Sequence, residues 1–149
     1  ADRYLLTLDY AYQPADGWIL GGEANWGGDR GVNANGSDAR WYGAMGTVFR
    51  RVSRHVGVVA RAEAFKDRDG AQTGTPQTLT SFTIAPVYLL GTGREGIFAN
   101  IEHTTFRIPR FQIRAEARLN HSTAAVFPTA TGTDTWTMQY DIQLVATFY

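Results

Sequence analysis

Four acidic residues lie inside alternating segments and could supply the carboxylate pair of an acid–base or glycoside-hydrolysing site. These residues are Glu23, Glu63, Glu116 and Asp141. Arginine occurs two residues from Glu63, at Arg61, and two residues on either side of Glu116, at Arg114 and Arg118. A spacing of two places each arginine on the same face of a strand as its glutamate. We therefore interpret these residues as a structural salt-bridge ladder.

Residues 91–96 read GTGREG, which matches the G-x-G-x-x-G pattern of dinucleotide-binding turns. Nucleotide binding requires a helix after the last glycine, because the helix N-terminus receives the pyrophosphate. The residues that follow, IFANI, have no helical periodicity. We therefore interpret residues 91–96 as a hairpin turn.

Histidine and serine residues do not form a recognisable metal or nucleophile motif. Glu102 and His103 are adjacent, and His121 is distant, without the H-x-H or H-x-x-x-H spacing of metal ligands. Three serines lack a nucleophile-elbow context: Ser53, Ser81 and Ser122. The sequence therefore indicates no enzyme, no metal site and no cofactor.

Composition favours a single all-β domain over residues 1–149. The chain has 16 Gly and 13% aromatic residues, which suit strands joined by turns. The formal net charge is zero, so no broad field attracts nucleic acid, and the absence of Cys excludes disulfides. No run of 18 apolar residues occurs, which excludes a membrane-spanning helix but not a membrane-spanning strand.

The segment RFQIRAEARLNH, residues 110–121, shows the clearest two-residue period. Apolar side chains alternate with polar or charged ones, which predicts a strand with one apolar and one polar face. Similar alternation predicts strands at 3–12, 18–27, 55–67, 78–90 and 135–149, and less regular ones at 41–49 and 97–107.

Eight charged residues fall in mid-strand on the predicted polar faces. They are Asp9, Glu23, Arg61, Glu63, Arg114, Glu116, Arg118 and Asp141. Of the 14 basic residues in the chain, only Lys66 is lysine. Arginine suits fixed, partly buried pairing with carboxylates, whereas a water-facing surface more often uses lysine with glutamate. We expect the eight residues to line the lumen of a barrel.

Aromatic residues bracket the predicted apolar faces. Seven are assigned to two girdles: Tyr4, Tyr12, Trp18, Trp26, Trp41, Trp136 and Phe148. Eight residues of strand rise ~26 Å, or ~20 Å along a membrane normal at a tilt of ~40°. This distance approximates the separation of the aromatic girdles in outer-membrane barrels, so we expect the apolar faces to meet lipid.

The connections also differ in length in the manner of outer-membrane barrels. Those near 13–17, 51–55 and 91–96 are short, and those near 28–38, 68–77 and 122–134 are long and polar. Counting 97–107 as a strand gives about eight strands but breaks the alternation of short and long connections. Leaving it out gives seven strands, which would form part of a larger barrel because bacterial single-chain barrels have even strand numbers.

The segments RAEAFKDRDGAQTGTPQTL (61–79) and IRAEARLNHS (113–122), with a closing strand rich in aromatics, resemble the OmpL-like β-barrel porin family. The resemblance concerns the C-terminal part of that family and implies an outer-membrane, porin-like barrel. Members of the family are generally longer than this chain. An alternative to a complete barrel is therefore the C-terminal portion of a longer one.

Together, these observations predict an antiparallel up-and-down transmembrane β-barrel of the bacterial outer membrane that allows passive diffusion of small solutes or ions. A narrow, non-conducting barrel that serves as a membrane anchor or structural subunit is the first alternative. A soluble lipocalin-like binding barrel is the second. The expected partners are outer-membrane lipid and other envelope chains or further copies of this one, but not nucleic acid.

Overall fold

A computed structural model describes residues 2–33, 36–90 and 111–146 of the chain. These residues form β-strands and no helix, and therefore contain no helix long and apolar enough to cross a membrane. The strands are β1 (Arg3–Tyr12), β2 (Trp18–Asp29), β3 (Ala39–Arg51), β4 (Val56–Asp67), β5 (Gln77–Leu90), β6 (Phe111–Ser122), β7 (Phe127–Thr129), β8 (Gly132–Asp134) and β9 (Trp136–Ala146). The all-β prediction is confirmed.

Seven long strands form one antiparallel sheet in the order β1-β2-β3-β4-β5-β6-β9. Sequence neighbours pair throughout, which is the up-and-down arrangement that the alternating pattern predicts. The two short strands β7 and β8 pair with each other inside the connection between β6 and β9. The sequence predicted only a loop there, because strands of three residues are too short to show a two-residue period.

The described sheet has no strand between β5 and β6. These two strands pair directly, from Leu79 opposite Ser122 to Leu90 opposite Phe111. The predicted strand at 97–107 and the predicted turn at 91–96 lie outside the described residues. Within the described ranges, the sheet therefore has the seven strands of the second sequence interpretation.

Described connections of different length lie at opposite ends of the sheet. The connections 13–17 and 52–55 lie at one end, which we call the short-turn end. The connections 30–38, 68–76 and 123–135 lie at the other, the long-loop end. The predicted alternation of short and long connections is thus confirmed for these five.

The strand register aligns one apolar set of residues from all seven strands on one side of the sheet, whereas the buried Ala85, Val87 and Leu89 lie on the other side. For example, Leu8 pairs with Ala24, Ala24 with Ala44, and Ala44 with Ala64. On the other side, Asp9 pairs with Glu23, and both belong to the polar set. A shift of one residue in any pair would exchange the two sets, so the register fixes one apolar face and one polar face.

Pro86 interrupts the pairing between β5 and β6 without shifting it. Its side chain belongs to the apolar face, where it pairs with Val58 of β4. The ladder with β6 lapses between the pairs Ile84–Ala117 and Val87–Arg114, which share one register. The missing N–H of proline therefore leaves a gap in the ladder rather than a bulge.

Trp41 corrects one of the sequence assignments, because it lies on the polar face and not in a lipid-facing girdle. It pairs with Gly27 on one side and Asp67 on the other. Its indole covers Gly27, where an added Cβ would lie 2.5 Å from the ring, and the Arg3 guanidinium lies 5.5 Å from the ring centroid. Only 7% of Trp41 is exposed. Its neighbour Tyr42 occupies the apolar face at this position.

The outer edges of the sheet are β1 and β9, and the described sheet does not close into a complete barrel. Both strands run from the long-loop end to the short-turn end, because seven strands alternate in direction between them. A direct pair between β1 and β9 would therefore be parallel, unlike every other pair in the sheet. Antiparallel closure requires an odd number of further strands between these two edges.

Candidate functional site

Five charged side chains on the polar face form a ladder across β4 and β6. They alternate in sign in the order Arg114, Glu116, Arg61, Glu63 and Arg118. The two-residue period of β4 and β6 directs all five to the polar face, and β5, between these strands, contributes small residues there. We call this group the charge ladder.

The centre of the charge ladder is Glu63, which joins two arginines from different strands. The Nε atom of Arg61 lies 2.8 Å from Oε1 of Glu63. The Nη2 group of Arg118, two strands away, donates to the other carboxylate oxygen at 2.8 Å. This reach is possible because β5 contributes only the small side chains of Ser81 and Thr83 between them, and Ser81 accepts a 3.1 Å hydrogen bond from Arg118.

Glu116 connects the remaining arginine to the same network. Arg114 Nη2 donates to Glu116 Oε2 at 2.7 Å, and Arg61 Nη2 lies 3.9 Å from Glu116 Oε1. The side chains of the ladder are 13–30% exposed. Solvent screens a fully exposed ion pair so strongly that the pair adds little to the free energy of unfolding. Partial burial reduces this screening, so the ion pairs of the ladder interact more strongly than exposed ones.

Neutral polar groups extend the charge ladder toward the edge of the sheet. Arg118 Nε donates to Asn120 Oδ1 at 2.9 Å, and the Asn120 amide donates to Gln139 of β9 at 3.2 Å. The sequence did not single out Ser81, Asn120 or Gln139 as functional. The only sequence feature that pointed to these three residues is that each lies on the polar side of its alternating strand pattern.

Asp9 and Glu23 form a separate acidic pair on β1 and β2. They are directly opposite in register, and Met45 separates Glu23 from Glu63 of the charge ladder. Asn25 donates to Glu23. Neither carboxylate has a salt-bridge partner among the described residues. In mid-strand, the polar face therefore carries two carboxylates without a salt bridge on β1 and β2, and the charge ladder of three arginines and two glutamates on β4 and β6.

Asp141 lies on the polar face of edge strand β9, opposite Glu116 in register. Its carboxylate accepts a 2.7 Å hydrogen bond from Gln143 rather than from an arginine. Asp141 lines a cavity of about 600 Å³ together with Arg61, Arg114, Glu116, Arg118 and Gln139. The structure thus brings five predicted lumen residues into one network, places Asp141 beside it, and keeps Asp9 and Glu23 apart.

The apolar face carries the aromatic residues in two groups. Tyr4, Trp26 and Trp136 lie toward the long-loop end, and Tyr12 and Trp18 lie toward the short-turn end. Phe148 lies outside the described residues. Between the two groups, the apolar face of the described strands carries no charged residue.

The part of the chain that the structure describes has no metal-binding site built from histidine or acidic residues. No group of three or more His, Asp or Glu residues there is arranged to hold a metal ion. His121 instead packs against Trp136, with the ring centroids 4.3 Å apart and the ring planes tilted by 41°. Glu102 and His103 lie outside the described residues.

Comparison with known families gives one match. A family model described as "Putative beta-barrel porin-2, OmpL-like" matches residues 1–148. This match includes the N-terminal strands as well as the C-terminal segments that carry the resemblance in sequence. No curated protein and no solved structure matches the chain. The match over essentially the whole chain confirms the resemblance, and the chain belongs to the OmpL-like β-barrel porin family.

Proposed function

We propose that this chain forms the wall of an outer-membrane pore through which small solutes or ions diffuse passively. In this proposal the apolar face meets the lipid of a bacterial outer membrane, and the polar face lines the lumen. The charge ladder, the acidic pair and Asp141 supply the field that sets ion preference. Passive diffusion requires no catalytic role for the charge ladder or the acidic pair.

The observation that carries the proposal is the inverted exposure of the two faces. On β5, Phe82 and Ile84 of the apolar face are 53% and 46% exposed, whereas the opposite face is buried, at 0% exposure for Thr83, 4% for Val87 and 6% for Leu89. A water-soluble barrel would bury the large apolar side chains and expose the polar ones. An extended apolar surface of this kind, with no mid-strand charge, suits a lipid environment and counts against a lipocalin-like barrel.

The directions of the edge strands support a pore wider than seven strands can enclose. β1 is exposed along its whole length and has no partner on its outer side within the described sheet. Antiparallel closure needs an odd number of additional strands, which other parts of the same polypeptide or another chain would supply. With those strands in place, the barrel has an even number of strands, as single-chain bacterial barrels do.

Single-channel recording in a planar bilayer tests the proposal. The protein should produce discrete, stable conductance steps, and Arg114→Glu or Arg118→Glu should shift the reversal potential in a salt gradient toward cation preference. Arg54→Glu is the matched control, because it makes the same charge change in the exposed turn 52–55, away from the polar face.

Two results would contradict the proposal. The absence of conductance from protein that is inserted in the bilayer and rich in β structure would favour the narrow, non-conducting barrel with a structural role. An equal shift of the reversal potential in Arg54→Glu and Arg118→Glu would show that the charge ladder does not control permeation.

A further inference from the structure

A cationic cavity lies on the lipid-facing side of the sheet, at the long-loop end. Its volume is about 470 Å³, and it is lined by Trp26, Arg40, Tyr42, Lys66 and Arg68. Trp26, Tyr42 and Lys66 form one row across the apolar faces of β2, β3 and β4. The cavity is thus separate from the charge ladder, which lies on the opposite face.

The three cationic side chains of this cavity form no ion pair with a carboxylate in the described part of the chain. In the described part of the chain, Arg40, Lys66 and Arg68 form no salt bridge, in contrast to Arg3, which lies 2.7 Å from Asp29. Lys66 Nζ lies 5.9 Å from the centroid of the Tyr42 ring, a contact that leaves its positive charge in place. Three cationic side chains that line one cavity and form no salt bridge favour an anionic ligand.

Backbone contacts hold two of the cations side by side. The N–H of Arg68 donates to the carbonyl of Arg40 at 3.1 Å. The N–H of Arg40 in turn donates to Asp69 Oδ2 at 2.9 Å. These bonds join the start of β3 to the loop after β4. The backbone therefore fixes the position of the cationic cavity, independently of the conformations of the side chains that line it.

A patch of small residues lies directly below the cavity on the same face. It consists of Ala24, Ala44 and Ala64 in one row and Gly46 and Ala62 in the next. No heavy atom would lie within 4 Å of a Cβ added at Gly46, so the surface is open there. Tyr10 and Phe82 border the patch in the row of Gly46. The patch spans three adjacent strands, β2 to β4, which are ~4.8 Å apart. Its width is therefore sufficient for acyl chains.

We propose that this surface of β2, β3 and β4 binds an anionic lipid. Its phosphate-bearing headgroup contacts Arg40, Lys66 and Arg68, and its acyl chains cover the patch of small residues. The two features lie in the order in which a lipid in the membrane presents headgroup and chains. The inference rests on the membrane placement in the proposed function but not on conduction.

Native mass spectrometry of the whole protein in detergent tests the proposal, with phosphatidylglycerol as the anionic probe and phosphatidylcholine of the same acyl chains as the neutral one. The wild type should retain phosphatidylglycerol preferentially. The triple variant Arg40→Gln, Lys66→Gln, Arg68→Gln should bind it about a hundredfold more weakly, at about fivefold per removed charge. The control Arg50→Gln, Arg51→Gln, Arg54→Gln removes three charges at the short-turn end and should retain the preference.

A second variant separates a lipid from a free anion. Gly46→Leu fills the open patch without changing charge, and should weaken binding of phosphatidylglycerol while leaving binding of inorganic phosphate unchanged. Equal retention of both lipids by the wild type, or unchanged binding in the triple variant, would overturn the proposal. Displacement of the lipid by inorganic phosphate with no effect of Gly46→Leu would also overturn it, in favour of an anion site. If the protein binds phosphatidylglycerol selectively but does not conduct, the result would contradict the proposed pore and leave the proposed lipid site standing.

Discussion

Individual charges of the ladder depend on one another, because each glutamate contacts two arginines. Glu63 contacts Arg61 and Arg118, and Glu116 contacts Arg114 and Arg61. Removal of one arginine leaves a half-buried carboxylate with fewer partners, whereas removal of both members of a pair leaves no such charge. The energy of the ladder is therefore a property of pairs rather than of single residues.

A double-mutant cycle on Arg118→Met and Glu63→Gln should show this dependence. We expect a coupling free energy of about 1 kcal/mol, because the pair is close but still partly screened by solvent. Urea unfolding of the protein in lipid vesicles measures it. The same arginine change combined with the distant Asp16→Asn should be additive. A coupling no larger in the first cycle than in this control would contradict the pairing.

The face of each charged residue was predictable from the sequence, whereas its partner was not. A period of two assigns Arg61, Glu63 and Arg118 to one face before any pairing is known. The contact between Glu63 and Arg118 depends on the register of three strands, which a single strand does not encode. The girdle prediction for Trp41 is wrong because aromatic type alone does not give the face of a residue, and the register places Tyr42 on the apolar face instead.

At the scale of elements, strand pairing gives seven long strands in the described sheet. β5 and β6 pair directly there, and the predicted strand at 97–107 lies outside the described residues. Alternation predicted where the long strands lie but not their number, because the irregular segment fits a strand and a connection equally well. The β7–β8 hairpin was missed for its short length.

Engineered disulfides should report this pairing, since the chain has no native cysteine. Phe82 and Leu119 are directly opposite on the apolar face, so Phe82→Cys with Leu119→Cys should oxidise to an intramolecular disulfide. Ile84→Cys with Leu119→Cys is the matched control, displaced by one pair along the same face. Loss of free thiols measures the bond. Equal, poor oxidation of both pairs would contradict direct β5–β6 pairing.

At the scale of the whole molecule, the described sheet has one apolar and one polar face, and both continue across its seven strands. That arrangement agrees with the family match, and it accounts for the inverted exposure and for the absence of mid-strand charge on the apolar face of the described strands. The sequence predicted this arrangement because alternation is a local property. It could not predict that β1 and β9 would remain unpaired with each other, because closure depends on how many strands take part.

The most direct test of the lipid-facing apolar face is a cysteine scan of β9 from Thr137 to Gln143 in lipid vesicles. Each position is replaced singly, and its reaction with a water-soluble thiol reagent is measured. Odd-numbered positions belong to the polar face and should react, whereas even-numbered positions belong to the apolar face and should be protected by lipid. Equal reaction at even-numbered positions would show that the apolar face meets water, and would contradict the membrane-spanning barrel.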